Sequence, residues 1–191
     1  EVQETLGPID ILVANATGPQ PLMPIEEYDW DFYQRMLDFF IKSPFLLAQH
    51  SVAKMKAQRW GRFINIVSEV YHRSVSPFSA YVAAKGGQIG WTRSMAREWA
   101  GDGITVNAVM PGQVATEGTR AYNPEEMFER TMQSQAIKKR VEPPHLAALI
   151  AKQVENPLYR FGSPNAGEDL SQQTEDLGAD ARPCLGAAAL W

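Results

Sequence analysis

Tyr81 and Lys85 stand four residues apart, and Ser68 precedes the tyrosine by thirteen. On a helix, residues at that four-residue spacing share a face, so a phenol and an ammonium would act on one spot. A phenol can give a proton to a carbonyl oxygen or take one from an alcohol. A hydroxyl such as that of Ser68 can hydrogen-bond the same oxygen. Free tyrosine titrates near 10, so service as a base near neutral pH requires a lowering of roughly 3 pH units, about 4 kcal/mol. A neighbouring Lys85 cation favours the phenolate and is expected to supply much of that. These groups move protons but store no hydride, so a redox reading requires a cofactor, and nicotinamide is the natural candidate. Taken singly, each residue has an ordinary explanation: a packed helix tyrosine, a snorkelling lysine, a serine that ends a strand.

The elements that must position this set follow from pattern. Ile9 to Val13 is a short apolar run too brief for a helix and suited to a buried strand. Between Ile25 and about Met55, Trp30, Tyr33, Leu37, Phe40 and Ile41 recur at helical spacing, with a bend expected near Pro44. Arg62 to Val67 reads as a second strand, ending at Ser68. A long helix is predicted from about Ser79 to Trp99, with Tyr81, Lys85, Gln88 and Thr92 on one face. Ile104 to Met110 reads as a third strand, broken by Pro111-Gly112. Strands alternating with crossover helices predict an α/β fold, a parallel sheet covered by helices. Such sheets bind ligands beyond the carboxyl ends of their strands, where Ala14 to Thr17, Ser68-Glu69 and Pro111 to Val114 lie. Further along, Asn123 is expected to cap a helix that starts at Pro124-Glu125-Glu126, and another helix is expected to start near Pro143-Pro144 and to cover Leu146 to Ala151.

Together these segments resemble the short-chain dehydrogenases/reductases. The resemblance is carried by Ser68 with Tyr81-Val82-Ala83-Ala84-Lys85, by Asp10 to Ala16 ending in Asn15-Ala16, by Trp60 to Ile66, and by Gly103 to Gly112. It covers about Gly7 to Ala151. It implies a Rossmann-like, doubly wound parallel sheet and NAD or NADP as cofactor. It further implies hydride transfer between nicotinamide and a secondary alcohol or ketone. Tyr81 would be the general acid/base, Lys85 its pKa modulator and a donor to the nicotinamide ribose, and Ser68 the positioner of the substrate oxygen. Asn15 and Ala16 would lie beside the adenosine half, and Gly112, Val114 and Thr116 by the carboxamide and phosphates. Ala83, Ala84, Gly86, Gly87 and Gly90 allow close helix packing, and in related enzymes this helix packs against a second copy, so a homo-oligomer is expected of the full-length protein.

Four departures matter. Where the family carries a relay asparagine, this chain aligns Phe40, which has no hydrogen-bonding side chain. Thr17 replaces the glycine that usually follows Asn-Ala. No glycine-rich phosphate turn precedes Asp10, so the chain reads as a partial domain, residues 1–152, lacking the first strands and their pyrophosphate grip. Residues 153–191 lose any sustained period and read as a divergent, irregular tail, for which an altered reading frame is one account. With its neighbours missing, the first strand becomes an apolar edge, and the 191-residue chain is expected to fold poorly or to bind dinucleotide weakly. The alternative function is a catalytically silent binding or scaffold protein.

Composition sets outer bounds. The chain has 191 residues, 45% hydrophobic and 21% charged, with net charge −4, which describes a globular domain without the basic excess that nucleic acid demands. No run of about 18 apolar residues suggests a membrane span. A single cysteine, Cys184, cannot form an internal disulfide and fits a reducing cytoplasm. His50, His72 and His145 lack metal-ligand spacing, so no metal site is expected. Glu69, Tyr71, His72 and Phe78 lie between the serine and the tyrosine, as a substrate wall or as plain loop.

Overall fold

The computed structural model describes residues 2–155. Three strands, β1 (Ile11–Ala14), β2 (Gly61–Ile66) and β3 (Ile104–Val109), form a sheet of order β1-β2-β3. Both pairings are parallel, with Leu12 beside Phe63 and Phe63 beside Val106. The expected α/β architecture is therefore present, as a partial Rossmann-like sheet.

Each crossover runs through helices because parallel neighbours cannot be joined by a tight turn. Between β1 and β2 lie α2 (Trp30–Leu37), a π turn (Asp38–Lys42) and α3 (Ser43–Ala57). After β2 come the short α4 (Val70–Arg73) and the long α5 (Ser79–Trp99), which leads to β3. The chain opens with α1 (Val2–Leu6) and continues past β3 through α6 (Glu117–Tyr122), α7 (Glu125–Ser134) and α8 (Pro143–Glu155).

Strand alternation sorts the side chains to two faces. Leu12, Phe63 and Val106 pack with Ala48 and Met55 of α3 and with Ala96 and Trp99 of α5. On the opposite face Ile64, Ile66 and Val109 meet Leu146, Ile150 and Val154 of α8. Ile11 and Val13 belong by register to that second face, yet they stay 45% and 39% exposed. The apolar edge expected at the first strand is thus present. Gly103 closes the link between α5 and β3 at φ +74, and a Cβ there would lie 2.2 Å from the Arg59 carbonyl oxygen, so only glycine fits. No described helix is long and apolar enough to cross a membrane.

Several local expectations change. The helix expected from Ile25 to Met55 begins only at Trp30, capped by Asp29 after a 3-10 turn at Ile25–Glu27, and is interrupted at Asp38–Lys42, ahead of Pro44. Pro44 lacks the N–H that would bond the Phe40 carbonyl, and Ser43 N–H reaches back five residues to Asp38. Asn123 does not start a helix. It closes α6 instead, its side-chain amide donating to the Thr119 carbonyl at 2.9 Å. Helix α6 is not marked in the sequence by period, because Thr116-Glu117-Gly118-Thr119 has no apolar repeat. Its signal is the capping pair, Thr116 accepting from Thr119 N–H at 3.0 Å. The last described helix runs to Glu155, two residues beyond Gln153, where the sequence loses its period. The rest of the expected tail, with Cys184, lies outside the described residues.

Gly86 and Gly87 have neighbours inside the chain: added Cβ atoms would meet Tyr71 at 2.9 Å and Ile41 at 3.0 Å. Only Gly90 of the three faces open space.

Candidate active site

The carboxyl ends of the strands are tied together by backbone. Val67 N–H donates to the Val109 carbonyl at 2.9 Å and Glu69 N–H to the Pro111 carbonyl at 3.2 Å. Ser68-Glu69 and Pro111-Gly112 therefore sit side by side, and a Cβ on Gly112 would come within 3.2 Å of the Glu69 carboxylate. Glu69 is in turn ion-paired with Arg73 at 2.7 Å. Asn15 and Ala16 leave the same end of the sheet, both exposed. The Thr17 hydroxyl accepts from the Gln20 amide.

Helix α5 delivers the remaining groups. The Ser68 side chain lies near enough to the Tyr81 hydroxyl to lower its pKa, so the phenol and the strand-end hydroxyl face one another, while the Ser68 Oγ accepts from Val70 N–H at 3.4 Å. The Tyr81 ring is held between Phe78, 4.8 Å away, and the edge-on ring of Phe40, 5.2 Å away. One turn on, Lys85 is 4% exposed. Its ammonium donates to the Ile66 carbonyl at 2.7 Å and to Gln88 Oε1 at 3.1 Å. A polar chain continues inward: the Gln88 amide donates to Asn65 Oδ1 at 3.2 Å, and the Asn65 amide to Thr92 Oγ1 at 2.9 Å. The shared face predicted for Tyr81, Lys85, Gln88 and Thr92 is thus the face that meets β2. Gln88 and Asn65 were missed as members of the site. The three- and four-residue spacing of polar residues from Lys85 to Thr92 is the signal for Gln88; for Asn65 on β2 it is a polar side chain inside an apolar strand.

One electrostatic expectation is corrected. Lys85 was expected to lower the Tyr81 pKa, but Tyr81 is raised above its ordinary 10.0, chiefly by burial, with the nearby Ser68 side chain opposing. The Lys85 nitrogen lies 5.6 Å from the Tyr81 ring centroid and is anchored to β2 and Gln88. Burial lowers Lys85 itself from 10.5 to about 7, because a low-dielectric interior disfavours the charged form.

Val114 is buried and bridges to Val141 in parallel. The Thr116 hydroxyl is engaged as the cap of α6. Next to Gly112, the side-chain oxygen of Gln113 is buried with no partner among the described residues. Among the described residues no three His, Cys, Asp or Glu side chains gather as metal ligands.

A nicotinamide riboside fits this donor set. Lys85 has three N–H donors, of which two are taken by Ile66 and Gln88, leaving one for a ribose hydroxyl. The orphaned Gln113 oxygen beside Gly112 is an acceptor suited to an amide. Among the described residues no glycine-rich turn supplies donors for a pyrophosphate.

Comparison with known proteins decides the family. Residues 1–127 match the family described as short chain dehydrogenase. The chain belongs to the short-chain dehydrogenases. It is 42% identical over 119 residues to an uncharacterized oxidoreductase, YxjF, of Bacillus subtilis, covering 62% of this chain and 46% of that protein. It is 36% identical over 185 residues to a D-beta-hydroxybutyrate dehydrogenase of Rhizobium meliloti, covering 91% of this chain and 66% of that one. This second match leaves about a tenth of the chain uncovered, so it reaches beyond Ala151, where the recognisable motifs stop. A solved structure from Beutenbergia cavernae, described as "a putative NAD(P) dependent gluconate 5-dehydrogenase" with bound NADP at low occupancy, is 28% identical. It aligns with a TM-score of 0.69 over 76% of this chain and 58% of that chain. The short-chain dehydrogenase described here spans about half the length of the curated relatives it matches.

Proposed function

We propose that this short-chain dehydrogenase carries the proton-transfer half of an NAD- or NADP-dependent oxidoreductase that interconverts a secondary alcohol and a ketone. The approach of Ser68 to the Tyr81 phenol at the mouth of the sheet, with Lys85 one turn further on, carries the reading. Family membership supports oxidoreduction in general, and the NADP of the gluconate 5-dehydrogenase relative supports the cofactor class. When bound, the nicotinamide supplies or accepts the hydride. Residues 1–152 form the cofactor-binding domain in this proposal, in its cytoplasmic and oligomeric full-length form.

In reduction, the substrate carbonyl oxygen accepts hydrogen bonds from Ser68 and Tyr81, and the phenol of Tyr81 passes its proton to that oxygen as negative charge develops. A phenol pKa held above 10 by burial keeps Tyr81 protonated at neutral pH, which suits it to act as the acid. Lys85 holds the nicotinamide ribose with its remaining N–H and places positive charge behind the tyrosine. Asn15 and Ala16 flank the adenosine side. Gly112, Val114 and Thr116 line the carboxamide and phosphate side, where Thr116 contributes backbone, since its hydroxyl already caps α6. Phe78 against the Tyr81 ring presents an apolar wall to the substrate.

The test is a panel of ketones and aldehydes with NADH or NADPH, followed at 340 nm, using the protein expressed from its complete open reading frame. Consumption with at least one carbonyl compound is expected. No consumption with any, in a folded protein that still binds NADPH, would sink the proposal. It would favour the silent scaffold reading, whose support is Phe40 at the relay position.

A further inference from the structure

Phe40 is 1% exposed, and the π turn places its ring directly over a buried amine. The Lys85 nitrogen lies 3.9 Å from the Phe40 ring centroid, well inside the range at which an aromatic face attracts a cation. The same ring stands nearly perpendicular to Tyr81, at 78°. One apolar side chain thus touches both the amine and the phenol.

Its position depends on the irregular backbone. Ser43 N–H bonds the Asp38 carbonyl, which inserts one residue into the helical turn and rotates the residues around it. π turns of this kind recur at functional sites because they re-aim a side chain that a regular helix would place elsewhere. Around the Lys85 nitrogen stand the Ile66 carbonyl from β2, Gln88 and Tyr81 from α5, and Phe40 from the π turn. Tyr81 is the titratable member of that set. Among the described residues no carboxylate pairs with Lys85. Two oxygens and an aromatic face are what hold the cation.

We propose that Phe40 is a positioning residue, whose ring face holds the Lys85 ammonium against the Ile66 carbonyl and closes that side of the amine to water. The ring favours the charged form and so opposes the burial that draws the amine down to about 7. Its consequence for the reaction rests on the reading of Lys85 given above. The contact itself does not.

The experiment reads Lys85 directly. The chain holds seven lysines, and carbon-13 labelling at the lysine ε position lets each be titrated by NMR, with Lys85 identified by the signal lost in Lys85→Arg. Phe40 is then replaced site-specifically by 3,5-difluorophenylalanine and by pentafluorophenylalanine, which keep the ring shape while draining its negative face. The proposal expects the Lys85 pKa to fall progressively, by about one pH unit for the pentafluoro ring, a tenfold change in proton affinity. Phe40→Leu, if folded, should shift it the same way, and Phe40→Trp should hold it at or above the starting value. A Lys85 pKa that stays within about 0.2 pH unit in both fluorinated proteins, or rises, overturns the proposal. No substrate or cofactor is present, so inactivity of the protein would leave this result standing, and a failed titration would leave the catalytic reading standing.

Discussion

Replacing Lys85 by methionine should change how the stability of the fold depends on pH. In the folded chain the amine is drawn from 10.5 to about 7 by burial. Between those values the unfolded chain carries a proton on this residue that the folded chain lacks, so stability must rise with pH across the window. Below about 7 both states are protonated and the contribution is constant; above 10.5 neither is. The interval corresponds to about 5 kcal/mol in full, or about 1.4 kcal/mol for each pH unit. Lys85→Met removes the titrating group while keeping most of its volume, and the other six lysines cancel in the comparison. Urea unfolding of the two proteins at pH 7.5, 8.5 and 9.5, staying below tyrosine ionisation near 10, supplies the measurement. Trp91 and Trp99, packed against Phe63, report on the core. The wild-type stability should gain on the variant by about 1 kcal/mol or more per pH unit. Parallel pH dependences would show that the buried amine keeps its ordinary pKa, and the reasoning from burial would fail.

Other consequences are simpler to state. Asn65→Leu strips the acceptor of the Gln88 amide inside the core, while Thr92 keeps its bond to the Gln88 carbonyl; it should cost about 1–3 kcal/mol for the buried amide left unpaired, read as a lower urea midpoint. Val13→Lys charges the open sheet edge and should reduce self-association in sedimentation velocity at little cost in stability, because Val13 is 39% exposed. An unchanged sedimentation profile would mean the edge is not the sticky surface. The rate of carbonyl reduction should decline as pH rises through about 7, as Lys85 loses its proton. A rate that stays level up to pH 9 would separate the Lys85 charge from catalysis.

How far the sequence reaches depends on what each feature rests upon. The three strands and α5 were legible because their apolar runs and turn residues report burial locally: Phe63 and Ile64 look buried in the sequence and are buried in the fold. Ser68 and Tyr81 were legible as a pair because one ends a strand and the other begins the helix that follows. The direction of the Tyr81 pKa was not legible. Spacing shows that Lys85 lies one turn away, but only packing shows its nitrogen turned toward the Ile66 carbonyl. The π turn was equally hidden, since Pro44 predicts a disturbance without saying whether the backbone bends or adds a residue. Phe40 looked like a loss when judged by hydrogen bonding. Its ring over the ammonium is a contact between elements 45 residues apart in sequence, which no local pattern encodes. Helix α6 escaped because its cap, Thr116 with Thr119, is polar and its body short.

The central claim is that the Tyr81 phenol is the proton donor. Its most direct test is Tyr81→Phe, which deletes one oxygen and leaves the ring between Phe40 and Phe78. In the protein from its complete reading frame, with a carbonyl substrate found by the panel, kcat for the variant should fall by about 10²–10⁴-fold, while the affinity for NADPH measured by fluorescence stays near that of the parent. Equal kcat values for the two proteins would remove Tyr81 from the mechanism.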